Sequence, residues 1–172
     1  GEPNVTDIVP LAGASEAEVL RLAAAVEIGS EHPLGEAIVR AAKHRAIALP
    51  AVNEFEAIAG HGIRGVVEGR DVFLGNRRLM RRENIDPAPA EAAMTRLEAE
   101  GKTAMLVARA GALAGIVAVA DTQLRDLVEQ VLRSEGVCAP AEVNPLVVAR
   151  EEMAALNDEH MGAERPTDVL SF

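Results

Sequence analysis

Thr103-Ala104-Met105-Leu106-Val107-Ala108 and Ala112-Leu113-Ala114-Gly115-Ile116-Val117-Ala118-Val119-Ala120 are two apolar runs joined by a turn at Ala110-Gly111. Strands linked so closely can pair only antiparallel, because a parallel partner needs a crossover of roughly a dozen residues. The same logic holds upstream. Ile63 to Val67 and Val72 to Leu74 flank the tight turn Glu68-Gly69-Arg70-Asp71, and Phe55 to Ala59 precedes them as another short strand. Residues 4–10 read as a strand near the start. Residues 1–122 therefore read as an α+β unit, an antiparallel sheet with helical hairpins against it.

The helices announce themselves by period and punctuation. Ser15-Glu16-Ala17-Glu18 has capping-box spacing. Val19, Leu22, Ala23 and Val26 then recur at helical intervals, giving a first helix that ends near Gly29. Pro33 suits the first turn of a second helix, with Leu34, Ala37, Ile38 and Ala41 as its buried stripe. Ser30 to Pro33 is the corner of that hairpin. Residues 77–84 form a short helix, and after Pro87 and Pro89 another runs to Glu100, with Met94 and Leu97 inward and Gly101 as its stop. Beyond residue 122 the pattern predicts an α-β-α-β extension. Its parts are a helix marked by Leu124, Leu127, Val128 and Val131, a strand over 142–149 weakened by Pro145, a helix over 150–160, and a last strand after Pro166.

Composition excludes several functions. The chain has 172 residues, a net charge of −10, three Phe and neither Trp nor Tyr. Such a chain has no aromatic platform and no basic stripe with which to hold a nucleic acid. Its basic cluster, Arg77-Arg78 with Arg81-Arg82, is expected to decorate a solvated surface. The single cysteine, Cys138, allows no internal disulfide and no cysteine-pair metal site, which fits a reducing compartment. The longest apolar run, Ala112 to Ala120, is far shorter than the ~20 residues of a bilayer span. No membrane contact is expected. The absence of an initiating Met and the apolar ending at Phe172 suggest a chain cut at both ends.

Candidate chemistry gathers at Glu27-Ile28-Gly29-Ser30-Glu31-His32-Pro33. Gly60-His61-Gly62-Ile63-Arg64-Gly65 matches the spacing G-x-G-x-x-G. That fingerprint needs a helix directly after the glycines to receive a pyrophosphate, and here a strand and a tight turn follow, so a dinucleotide fold is rejected. The glycines still allow a close backbone approach to a ligand, or mark a bend in a strand. His32 is either a ligand contact or a turn residue fixed before Pro33. Glu27 either accepts hydrogen bonds from a base or faces solvent. Asn76 positions a ligand, caps the helix that follows, or does both. The residues by themselves lead to an α+β domain with a small-ligand corner.

Ser30-Glu31-His32-Pro33-Leu34, Ile58-Ala59-Gly60-His61-Gly62-Ile63 and Leu74-Gly75-Asn76-Arg77, in this order and separation, resemble the nucleotide-binding domain of heavy-metal, copper-type P-type ATPases. The likeness spans about residues 1–122. It implies six antiparallel strands flanked by helical hairpins, with MgATP (ATP with Mg²⁺) between the helical corner and the Gly-x-Gly strand. In that frame Glu27 contacts the adenine and His32 orients the nucleotide. Gly60, Gly62 and Ile63 line its path, and Gly75 with Asn76 closes the pocket. Phosphorylation and actuator domains are the implied partners, and the implied location is the cytosolic side of a membrane transporter. The family's nucleophilic aspartate motif, Asp-Lys-Thr-Gly-Thr, does not occur in these residues. This chain alone is therefore expected to bind ATP without hydrolysing it, with no catalytic residue and no metal ligand of its own.

The remaining residues resemble something else. Leu156-Asn157-Asp158-Glu159-His160-Met161-Gly162 and Pro166-Thr167-Asp168-Val169-Leu170-Ser171-Phe172 look like the N-terminal part of YbeY-type rRNA-maturation endoribonucleases. The zinc site of that family is a three-histidine motif, which residues 123–172 do not contain. The expectation is an ATP-binding unit over 1–122 fused, as a chimera, to a truncated endoribonuclease-like segment over 123–172. The alternatives are a zinc endoribonuclease-family fragment and a non-catalytic interaction module.

Overall fold

The computed structural model describes residues 2–120. Six strands form one sheet: β1 (Asn4–Pro10), β2 (Val52–Ile58), β3 (Gly62–Val67), β4 (Arg70–Gly75), β5 (Thr103–Arg109) and β6 (Ala112–Ala120). Their order is β1-β6-β5-β4-β3-β2, and each neighbouring pair is antiparallel. Two links are two-residue hairpins, Glu68-Gly69 and Ala110-Gly111, whose four residues all have positive φ. That backbone matches the twist of the strands it joins. The first and last strands are neighbours, with Asn4 opposite Ala120.

Helices α1 (Glu16–Glu27) and α2 (Pro33–His44) fill the connection from β1 to β2, and α3 (Arg77–Arg82) and α4 (Glu91–Ala99) fill that from β4 to β5. The two pairs cover opposite faces of the sheet. Val72 and Leu74 of β4 join α1 and α2 in one buried cluster, while Phe73 joins Leu79, Met80, Met94 and Leu97 in the other. Because side chains alternate across a strand, a sheet covered on both faces reads as continuous apolar sequence, which is the pattern of β5 and β6.

Helix α1 is buried almost all round, since Leu22, Ala23, Ala24 and Ala25 have no exposed surface. Small side chains let it lie between the sheet and α2. The sheet offers glycines beneath it: a Cβ on Gly115 would stand 2.7 Å from Val19, and one on Gly65 would stand 3.1 Å from Val26. These contacts lay α1 across the sheet from β6 to β3 and bring its C-terminal end, Glu27, to the β3 side. Arg21 of α1 bonds Glu68 in the β3–β4 turn at 3.1 Å, and Arg109 bonds Glu18 at 2.8 Å.

The antiparallel six-stranded sheet and the helical hairpins agree with the expectation from sequence. Two details differ. Strand β2 begins at Val52 rather than Phe55, because its register with β3 jumps between Asn53 and Glu56, where Glu54 has φ 51°. That bulge breaks the alternation by which strands are recognised, and it leaves Phe55 exposed. Arg77 does not decorate a solvated surface. It bonds Glu91 at 2.9 Å and Glu98 at 2.7 Å, stapling α3 to α4. The predicted helices and strands over 123–172, and with them Cys138 and His160, lie outside the described residues.

Candidate functional site

Glu27 ends α1 with its carboxylate inside the protein. It is 8% exposed, and among the described residues Oε2 is buried without a hydrogen-bond partner. Burial pushes the carboxyl above the ordinary glutamate range, and the Ser30 hydroxyl and the nearby His32 ring draw it only partly back. A carboxyl raised in this way keeps its proton in the native state at pH values where the unfolded chain has already lost it. The native state therefore loses stability as pH climbs from the ordinary glutamate range through the raised value, and suffers no such loss below that range. Asp7, Glu68, Glu91 and Glu100 are lowered by basic neighbours and slope the opposite way. Those slopes cancel when Glu27→Gln is compared with the parent. Urea unfolding of both proteins across pH is expected to show the variant gaining on the parent from acid to neutral. Parallel curves would mean that the buried carboxylate ionises without penalty.

The corner after Glu27 is a sequence of caps. Ser30 N–H donates to the Glu27 carbonyl at 2.9 Å, and Ser30 Oγ accepts from His32 N–H at 3.2 Å. His32 is the N-cap of α2, its Nδ1 accepting from Leu34 N–H at 3.2 Å. An accepting Nδ1 leaves the ring proton on Nε2. Pro33 follows at the first helical position, where its missing N–H removes no bond. The ring of His32 is exposed.

The glycine group forms a second, tighter knot. Gly62 of β3 faces Gly75 of β4, and Ile63 faces Leu74. A Cβ on Gly62 would fall onto the Leu74 carbonyl oxygen, and one on Gly75 onto the His61 carbonyl oxygen. Asn76 locks the knot with three bonds. Its N–H donates to the His61 carbonyl at 2.9 Å, its Nδ2 donates to the Gly60 carbonyl at 2.9 Å, and its Oδ1 accepts from Leu79 N–H at 3.0 Å as the cap of α3. Asn76 is thus a cap, and it also holds the Gly60–Gly62 turn.

The structure brings Glu27 and His32 together at one corner and Gly60, Gly62, Gly75 and Asn76 at another. Among the described residues no hydrogen bond joins the two groups. Ile63 packs on the α1–α2 side of β3, two residues from Gly65, whose added Cβ would stand 3.1 Å from Val26. A recess of about 360 Å³ opens at the corner but runs along α2, lined by Glu27, Ser30, Glu36, Arg40 and Lys43 among others. It does not reach the glycines. No group of three or more His, Cys, Asp or Glu is placed to hold a metal ion among the described residues. No helix among them is long and apolar enough to cross a membrane.

Gly35 was not singled out by the sequence, although it adjoins this site. It is buried in the first turn of α2, where an added Cβ would fall onto Glu27 Oε2 and stand 2.8 Å from Glu27 Cδ. The available signal was a glycine within a helical pattern, which is destabilising unless something needs the space.

An antiparallel six-stranded sheet with a helical pair on each face is the architecture of an N-domain from a metal-transporting P-type ATPase. The N-domain of HMA6, a copper-transporting P-type ATPase, aligns over its whole length with 70% of this chain, at a TM-score of 0.59 and 27% identity. A zinc-transporting PIB-type ATPase aligns with 70% of this chain and 19% of its own, at a TM-score of 0.64 and 38% identity. The chain belongs to the haloacid dehalogenase-like hydrolase family, whose model matches residues 1–138. Among curated relatives, the copper-exporting P-type ATPase of Bacillus subtilis is 46% identical over 122 residues, covering 71% of this chain and 15% of that protein. The probable copper-exporting P-type ATPase V of Mycobacterium tuberculosis is 45% identical over 131 residues, 76% of this chain and 17% of that protein. This chain thus spans about 15% of the length of such relatives. Residues 116–172 match the endoribonuclease YbeY family model, which overlaps the first match over 116–138.

Proposed function

We propose that residues 1–122 bind ATP, as MgATP, and hold it for the phosphorylation domain of a copper-type or other heavy-metal P-type ATPase on the cytosolic side of a membrane. The observation that carries this reading is the buried Glu27 carboxylate with one oxygen unpartnered among the described residues. An adenine amine supplies the missing partner, and the raised affinity of this carboxyl for a proton suits a contact with a neutral base. His32 orients the nucleotide through its exposed ring. Gly60, Gly62 and Ile63 line the path of the nucleotide, and Gly75 with Asn76 closes the end. Mg²⁺ enters on the phosphates, since hard cations of this kind are commonly held by few protein ligands. The phosphorylation and actuator domains are the partners on this reading.

Calorimetric titration of ATP, with and without Mg²⁺, tests the proposal on the parent and on His32→Ala. Saturable binding is expected, weakened about tenfold by the substitution, which is ~1.4 kcal/mol. A second reading draws on the YbeY match over 116–172, taking residues 123–172 as an endoribonuclease-like segment fused to the first unit. If the parent bound no ATP but retained zinc through dialysis, the nuclease-family reading would replace the first. A chain that held neither would be left as an interaction module.

A further inference from the structure

We propose that Gly35 is a positioning residue for the base-contacting carboxylate: the space left by its absent side chain is the seat that holds Glu27 in place. The inference rests on the ATP-binding reading and deepens it. Gly35 has no positive φ and sits in a regular helical turn after Pro33 and Leu34, so the backbone does not demand glycine there. Glycine inside a helix is destabilising relative to alanine, because it gives up more backbone freedom on folding. A reason for it must therefore be sought in what surrounds it.

The surroundings are specific. The atoms nearest an added Cβ are Glu27 Oε2, Glu27 Cδ at 2.8 Å and Ser30 Oγ at 2.9 Å. All three belong to side chains, and no backbone atom is among them. This separates Gly35 from Gly62 and Gly75, where backbone carbonyls stand in the way. An alanine at 35 fits when the Glu27 side chain swings aside and the Ser30 hydroxyl gives by a few tenths of an ångström. The displaced group is the Glu27 carboxylate, whose buried Oε2 has no hydrogen-bond partner among the described residues; the other two such carboxylate oxygens, on Asp7 and Asp71, face Lys102 and Arg64. A methyl group at 35 thus strengthens the helix and removes the contact for the base. A shift of about 1 Å in a positioned group is enough to lose most of its effect.

The experiment uses Gly35→Ala, Glu27→Ala and the double variant in the full chain, with three readouts: ATP calorimetry, thermal unfolding, and carbon-13 NMR titration of the Glu27 carboxyl in the absence of nucleotide. Gly35→Ala is expected to raise Tm by roughly 2 to 5 °C and to weaken ATP binding about tenfold. It should also return the Glu27 carboxyl toward the ordinary glutamate range. In the Glu27→Ala background the same substitution should leave ATP affinity unchanged, the signature of two residues acting as one unit. Unaltered ATP affinity in Gly35→Ala would overturn the proposal, as would an equal loss in both backgrounds. Failure of the parent to bind ATP would remove the nucleotide reading. The NMR titration would still decide whether Gly35 seats Glu27, and an unmoved carboxyl would overturn that part.

Discussion

Gly75→Ala is expected to destabilise the fold by about 3 kcal/mol, at the upper end for overpacking substitutions. Local backbone strain is not the cause, since Gly75 has no positive φ. The obstacle is the neighbouring strand. A methyl group here meets the His61 carbonyl oxygen and stands 2.7 Å from Leu79 Cδ2, a buried side chain of α3. That carbonyl already accepts the Asn76 N–H. Making room means separating β3 from β4 at their paired glycines, or lifting α3 from the sheet. Urea denaturation measures the loss, and Gly69→Ala supplies the contrast. Gly69 has φ 74° but nothing within 4 Å of its added Cβ, so only conformational strain of about 1 kcal/mol is expected there. A Gly75→Ala protein within 1 kcal/mol of the parent would show that the strands yield easily. The glycine knot would then not be the tight one its contacts imply.

Asn76→Ala is the second substitution of large effect. It removes the cap of α3, ordinarily worth about 1 kcal/mol, and the Nδ2 bond to Gly60, worth about another. A total near 2 kcal/mol is expected. Asn76→Asp separates the two parts. An aspartate oxygen still accepts from Leu79 N–H, but nothing then donates to the Gly60 carbonyl. The expected order of stability is parent, then Asp, then Ala, read by urea denaturation. Amide exchange at His61 and Gly62 should quicken in both variants, because both release the turn. Equal stability of the Asp and Ala forms would assign the whole effect to the turn and none to the cap.

The features legible in the sequence were those written in neighbouring residues. Ala110-Gly111 specifies a hairpin within two positions and Glu68 to Asp71 specifies another, whose loop the structure narrows to Glu68-Gly69; two hairpins are enough to make the sheet antiparallel. Ser15, Pro33 and Asn76 mark helix starts for the same reason. Gly62 opens a strand, as the rejection of a dinucleotide fold required. The features that escaped depend on residues brought together by packing. Nothing near Arg77 announces Glu91 and Glu98, which reach it only when α4 lies beside α3. The seat at Gly35 exists only because α1 and α2 meet at the right height. Glu27 had two readings, solvent-facing or base-contacting, since burial of a helix-end carboxylate depends on the neighbouring helix. The bulge at Glu54 hid the start of β2 by breaking the period itself.

The pairing of Asn4 with Ala120 has a mechanical consequence. Both ends of the described unit leave from the same end of the β1–β6 ladder, at the ~5 Å separation of paired strands. A pull on the two ends would load the hydrogen bonds one after another, as in an opening zipper, and would peel β1 from the edge of the sheet with little resistance. A push or rotation delivered through both ends together would leave the ladder unstressed and carry the whole unit as a rigid body. A unit joined in this way can be swung against a neighbour many times without being drawn open, provided that its two tethers move together.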